Sequence, residues 1–377
     1  SRICLLFSTI MLSLLLLPLL VQAYPNPTRD EFAQCRVEKP MAFCDSDGVL
    51  SDNDRRRVAE VIVNFPNETK TSPRQYCSTP GVSVALTLVK EATATELYGL
   101  LSEMQLSWQM NASCDDILYM AFEAKGGEYS ISRHYALDYE LSSSEAANAF
   151  IRQEDALLEG STAAGIIAVL DRLAKITNTQ YTNWTAESFP DPRKDDICGA
   201  TSNASLCDPD GILTTDERAA LSKSLRMAEL FTRETDKDSS QKAECLPRGH
   251  PVGLALFRSG MDTNMTAFAE TLLRRWNVDP RCGKALMIVV SADGRIGAAG
   301  GNNEVFGPRH VVDYFAANDG IFNGGRYSLL IAKMISELSL HAAQSTDKGR
   351  ASYAAILKKV EGLGEDWKLP QIQQFFS

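Results

Sequence analysis

Six acids in two short stretches are the side chains of this 377-residue sequence best placed to do chemistry. Cys207 to Glu217 reads CDPDGILTTDE and Cys44 to Asp54 reads CDSDGVLSDND, so Asp208, Asp210 and Glu217 correspond to Asp45, Asp47 and Asp54. Closely spaced carboxylates around a glycine are what a hard cation such as calcium takes as ligands. With the glycine as the sixth position of an EF-hand loop, Glu217 or Asp54 falls on the twelfth, where a bidentate acid belongs. The first position is then Leu206 or Phe43, which cannot ligate, and only the following helix of the flanking pair is expected. The competing reading is an Asx-type turn whose carboxylates cap a helix and favour its positive end. The incomplete loop favours that turn, and calcium is the only cofactor the sequence suggests.

Other chemistry finds little footing. Asp293-Gly294-Arg295 leads to Gly297 and Gly300-Gly301, but no helix start follows a strand-bound glycine fingerprint, and the first half has Lys125 and Gly127 there. The bland reading, a tight turn, is preferred. The histidines, His134, His250, His310 and His341, do not recur between halves or pair at ligand spacing. There is no Gly-x-Ser-x-Gly elbow. No catalytic residue is assigned.

What positions these acids is a duplicated unit. Cys35 to Cys44 and Cys198 to Cys207 are both nine residues apart, and Cys77 to Cys114 and Cys245 to Cys282 both thirty-seven. Trp108 and Trp276 each sit six residues before the last cysteine, where they suit a core position, and Tyr24-Pro25-Asn26-Pro27 is echoed by Phe189-Pro190-Asp191-Pro192. Within each unit the acidic turn leads to an amphipathic helix, Asp52–Phe65 or Thr215–Thr232, with Ser51 and Thr214 as natural N-caps. A strand (Val82–Val89 or Val252–Phe257), a helix (Thr95–Met110 or Met265–Trp276) and a second strand (Ile117–Glu123 or Ala285–Ser291) follow. A hairpin into a third strand and two helical stretches, ending at Ala163–Ile176 and Tyr327–Ala343, close each unit. The order α-β-α-β-β-α-α predicts an α/β fold: two tandem α/β/α sandwiches, each a small mixed sheet flanked by helices. The chain divides into residues 1–23, a first domain 24–177, a linker 178–188, a second domain 189–345, and a C-terminal helix and tail 346–377. Four cysteines per unit allow three pairings. Parallel strands would bring the second pair to one sheet edge, which favours Cys77–Cys114 with Cys35–Cys44, and Cys245–Cys282 with Cys198–Cys207.

The compartment follows from the ends and the surface. Arg2 and the apolar run Ile3–Leu20 read as a secretory signal peptide cut after Ala23, with a retained anchor as the rival reading. Five sequons, at Asn67, Asn111, Asn183, Asn203 and Asn264, predict a glycosylated surface, and the eight cysteines left after Cys4 suit an oxidising compartment. A net charge of −10 argues against nucleic acid or anionic lipid as the main partner. A secreted or cell-surface protein with no membrane span after cleavage is expected.

The pattern [YF]P-x-P, then C-x8-C-D-x-D-G-[VI]-L-[ST], then W-x5-C-x2-[IA]-L, resembles the extracellular domain of the modulator of levamisole receptor family, found largely in nematodes. The second copy, with CDPDGILT, Arg-Arg-Trp before Cys282, and ALMIVVSADGRIGAAGG, is the nearer. That domain is similar to the TPM domain, named for a thylakoid acid phosphatase. The resemblance implies a non-enzymatic auxiliary protein that binds and modulates an acetylcholine-gated channel. The TPM likeness implies an alternative, a divalent-dependent phosphatase using Asp208, Asp210 and Asp293. Two expected features depart from the family's founding type: the domain occurs twice, and no transmembrane helix is expected after it unless the N-terminal segment is retained as an anchor.

Overall fold

The computed structural model describes residues 24–69, 81–108, 110, 116–133, 141–158, 161–178, 182, 184–199, 205–232, 244–245, 249–258, 264–301 and 307–344. Residues 1–23, expected to be a signal peptide, together with Cys77, Cys114, Asn111, Asn183, Asn203 and the tail 346–377, lie outside them.

The chain forms two four-stranded sheets with helices packed on them. The first half runs β1 (Phe43–Cys44), α1 (Asp52–Glu68), β2 (Ser83–Val89), α2 (Ala94–Ser107), β3 (Ile117–Glu123), β4 (Tyr129–Arg133), α3 (Ser143–Ile151), α4 (Glu154–Leu158) and α5 (Thr162–Asn178). The second repeats the order as β5 (Leu206–Cys207), α6 (Thr215–Phe231), β6 (Val252–Phe257), α7 (Met265–Trp276), β7 (Leu286–Ser291), β8 (Ile296–Gly300), α8 (Pro308–Ala317), α9 (Asp319–Asn323) and α10 (Tyr327–Gln344). In each sheet the first three strands are parallel and the fourth returns antiparallel through a hairpin, in sequential order. The two-residue strands β1 and β5, too short for any periodicity, add a strand to the expected three, and the closing region holds three helices. Helix α1 also runs past its expected end at Phe65, through Pro66. A proline is tolerable there because the helix is closing, with the Thr69 amide and hydroxyl both donating to Phe65 O.

Alternation along the strands builds two apolar layers in the second half. Leu254, Leu256, Ile288 and Val290 pack on Leu221 and Leu225 of α6 and on Leu330 and Ile335 of α10. On the opposite face Ala255, Phe257, Met287 and Val289 meet Phe268, Leu272 and Trp276 of α7. Each large aliphatic side chain so buried contributes about 1.5–3 kcal/mol. Phe189 of the repeated Phe-Pro motif sits in that second layer, 5.7 Å from both the Phe257 and Phe268 rings. Its counterpart Tyr24 hydrogen-bonds Ser46 and Thr87 through its hydroxyl, and burial raises its pKa. Trp276 is buried and donates from Nε1 to Pro190 O at 3.1 Å, and Trp108 is buried in the first core.

The halves are joined through α3. Its residues Ser144 to Phe150 are all buried, although Phe150 alone carries a large apolar side chain. Phe150 stays with its own domain, stacked on Tyr129 at 4.5 Å. The polar residues of α3 and its C-cap Arg152 reach the second domain: Ser144 donates to Ala292 O, Asn148 to Gly325 O at 2.6 Å, and Arg152 to Ile212 O at 2.7 Å and to Glu217 at 2.8 Å. Glu145, the capping-box acid of α3, pairs with Arg258 at 3.1 Å with both side chains under 9% exposed. The approach is close at Gly325, where φ is +77° and an added Cβ would stand 2.3 Å from the Asn148 nitrogen.

Removing one partner of a buried pair strands the other charge, so Glu145→Ala should cost about 3–5 kcal/mol. The Glu145→Ala/Arg258→Ala double variant should cost clearly less than the two single changes summed. Denaturant unfolding of all four proteins measures this, and simple additivity would show that the pair is uncoupled.

Candidate functional site

The six acids of the two turns fall into three positions, repeated in each half. The first, Asp208 or Asp45, directly follows the disulfide-bonded cysteine of β5 or β1. Asp208 accepts from the amides of Ile212 at 2.8 Å and Leu213 at 2.9 Å, and from Arg218 at 3.2 Å. Asp45 does the same with Val49 at 2.7 Å, Leu50 at 3.1 Å and Arg55 at 2.9 Å. Both carboxylates are fully buried. Burial pushes the Asp208 carboxyl up to about 7, against the pull of the two amides and Arg218.

The second position, Asp210 or Asp47, ties the turn to the end of the neighbouring strand. Asp210 accepts from the Arg258 amide at 2.8 Å and from Trp184 Nε1 at 3.0 Å, and Asp47 accepts from the Lys90 amide at 2.9 Å. The third position opens the following helix. Glu217 completes a capping box with Thr214 and also receives Arg152 and Ser328, while Asp54 bonds the Ser51 cap and Arg57. Asp293 is paired with Arg295 at 2.7 Å in the β7–β8 hairpin. The acids are thus brought to one sheet edge but are spread among separate protein donors. Among the described residues no group of three or more His, Cys, Asp or Glu is arranged to hold a metal ion.

That edge is where the parallel strands end, the place at which open α/β sheets bind ligands. The two halves treat it differently. In the second, α3 of the first domain lies over it, and Asp208, Arg258, Ser291 and Ala292 are buried. Burial under this contact raises the Glu145 pKa, which the Arg258 charge opposes, and raises that of Tyr327 well above its ordinary value. In the first half, Asp47, Lys90, Glu91, Lys125 and Gly126 are exposed at the same edge.

Two disulfides, Cys35–Cys44 and Cys198–Cys207, directly precede these turns, and a third lies before the starts of β6 and β7. Cys35–Cys44, Cys198–Cys207 and Cys245–Cys282 are formed, with Cα–Cα distances of 4.4, 4.3 and 5.5 Å. The family model described as modulator of levamisole receptor-1 matches residues 20–126 and 184–295, one segment in each half. The chain belongs to the modulator of levamisole receptor-1 family. Both matched segments of this family cover the Cys-Asp-x-Asp-Gly turn and the strands on either side of it. A solution NMR structure of the N-terminal domain of a P. gingivalis protein is similar at 16% identity, covering 44% of this chain and 95% of that one, with a TM-score of 0.30. No curated protein matches the chain.

Of the five sequons, Asn67 in the last turn of α1 and Asn264 are exposed. Asn264 caps α7 by accepting from the Ala267 amide at 3.1 Å through its carbonyl oxygen. Glu145, Arg152 and Arg258 went unnoticed in the sequence because ion pairs distant along the chain leave no local pattern. The Ser142-x-x-Glu145 capping box was the one visible sign of a helix start there.

The pH dependence of the second turn follows from Asp208. The folded protein keeps this proton to about 7, while the unfolded chain releases it near the ordinary aspartate value of 3.8. Between those values the folded state binds more protons, so this contribution, full below the lower value, is lost as pH rises through the upper one. Wild-type stability relative to Asp208→Asn should therefore fall by a few kcal/mol, to order of magnitude, on going from acid to neutral pH. Unfolding curves of both proteins between those limits measure it, and parallel pH profiles would refute it.

Proposed function

We propose that the chain is an extracellular auxiliary protein, without chemistry of its own, that binds an acetylcholine-gated ion channel at the membrane surface and modulates it. The observation that carries this reading is the family match in both halves, to a family described by its action on the levamisole receptor. Three disulfides fit an extracellular location, and among the described residues no helix is long and apolar enough to cross a membrane. Exposed Asn67 and Asn264 are suitable glycan acceptors, and a glycosylated, secreted or surface-held form is part of the proposal.

The acids argue in the same direction. A divalent-dependent phosphatase would need Asp208, Asp210 and Asp293 to share an accessible site, whereas Asp208 is fully buried on two amides and an arginine, and Asp293 is paired to Arg295. Their engagement favours a framework role over catalysis.

The glycosylated protein should co-precipitate an acetylcholine-gated channel subunit from native membranes. It should also release no phosphate from a generic phosphate ester, with or without calcium. Turnover that disappears in Asp293→Ala would overturn the non-enzymatic reading. Failure to co-precipitate any channel subunit would overturn the choice of partner.

A further inference from the structure

The duplication turns one internal contact into a template for an external one. Each domain offers two complementary features, the outer face of its first closing helix (α3 or α8) and the carboxyl edge of its sheet. Inside the chain the α3 face of the first domain occupies the edge of the second. Among the described residues, what remains unused is the edge of the first domain and the α8 face of the second.

The two leftovers have fared differently. Aligning the N-caps Ser142 and Gly307, and the buried Phe150 and Phe315, places Arg309, Val312, Asp313 and Ala316 where α3 has Ser144, Ala147, Asn148 and Ile151. All four are exposed. The residues that grip the edge, Glu145 and Arg152, become His310 and Ala317, so α8 has lost both charges.

The unused edge has kept its charges. Lys90 stands where Arg258 stands, directly after the second strand with its amide held by the turn aspartate. Asp54 stands where Glu217 stands, three residues after the helix cap. Ala124 matches Ala292, each donating its amide to the end of the neighbouring strand, and Val49 matches Ile212, each four residues after the buried aspartate. The loops that form this edge, residues 45–51, 90–93 and 124–128, all belong to the described chain, and Lys90 and Lys125 are exposed on it.

We propose that the carboxyl edge of the first domain is a docking site for an α-helix of a protein partner, one that carries a carboxylate near its N-terminus and a cation seven residues later. The spacing is that of Glu145 and Arg152, two turns apart on one helix face. The carboxylate meets Lys90 and the cation meets Asp54. A second copy of this chain is the poorer occupant, because α8 would bring His310 to Lys90 and Ala317 to Asp54. The proposal rests on the binding-protein reading and adds to it the face that the partner uses.

The probe is a lactam-stapled peptide of residues 141–153, titrated into the full-length protein by fluorescence anisotropy. Saturable binding is expected, weakened roughly tenfold or more by Lys90→Glu in the protein and recovered when the peptide carries Glu145→Lys. Absence of binding, or binding indifferent to Lys90→Glu, overturns the proposal. So does concentration-dependent self-association of the full chain by sedimentation that Lys90→Glu abolishes, since the occupant would then be a second copy. Channel co-precipitation separates this from the broader reading. Loss of capture by the wild type strikes the functional reading, and undiminished capture by Lys90→Glu strikes only the surface.

Discussion

A buried aspartate that accepts two backbone amides and an arginine is the interaction on which each domain depends. Asp45 and Asp208 close the turn after the first disulfide, and their guanidinium partners come from the first turn of the next helix. One side chain thus fixes the disulfide loop, the end of the first strand and the start of a helix at a single point. An uncompensated carboxylate there would be costly, and the three donors offset that cost only while all are in place. The second acid of each turn extends the constraint to the neighbouring strand through the Lys90 or Arg258 amide. Conserving such a turn in both halves needs no ligand to explain it.

Much of this was legible in the residues because the signals are local. Alternation and apolar runs placed the central strands, and Ser51, Thr214 and their acids marked two helix starts. The paired spacings of nine and thirty-seven residues between cysteines expose the repeat by themselves. What stayed hidden is of two kinds. Strands of two residues, Phe43–Cys44 and Leu206–Cys207, are too short to show a period and exist only because a longer strand lies beside them. The Glu145–Arg258 and Arg152–Glu217 pairs join residues more than sixty positions apart, and charge alone does not say which partner each will find. The same limit applied to the acidic turns, where sequence offered both a calcium loop and a capping turn.

The halves are alike in fold and unlike in situation. In one, helix α3 covers the edge where the parallel strands end, and arginines, glutamates and a tyrosine are withdrawn from water there. In the other, lysines and acids face solvent at the same place. Duplication followed by docking therefore yields, among the described residues, one occupied and one open version of a single surface. Such an arrangement is heterologous, since the face that docks and the face that receives are different.

Gly325 makes the two domains poor candidates for separation. The contact it permits puts the backbone of one half against a helix of the other, closer than any side chain would allow. A second domain expressed by itself would present Arg258, Glu217 and the Ala292 carbonyl to water without the groups that now answer them. Its partner half would keep Ala146, Ala149 and Phe150 in its own core but bare Ser144, Glu145 and Asn148 on the other side of the same helix. Cutting the chain between its halves would therefore uncover polar groups on both sides that the tandem pair keeps matched.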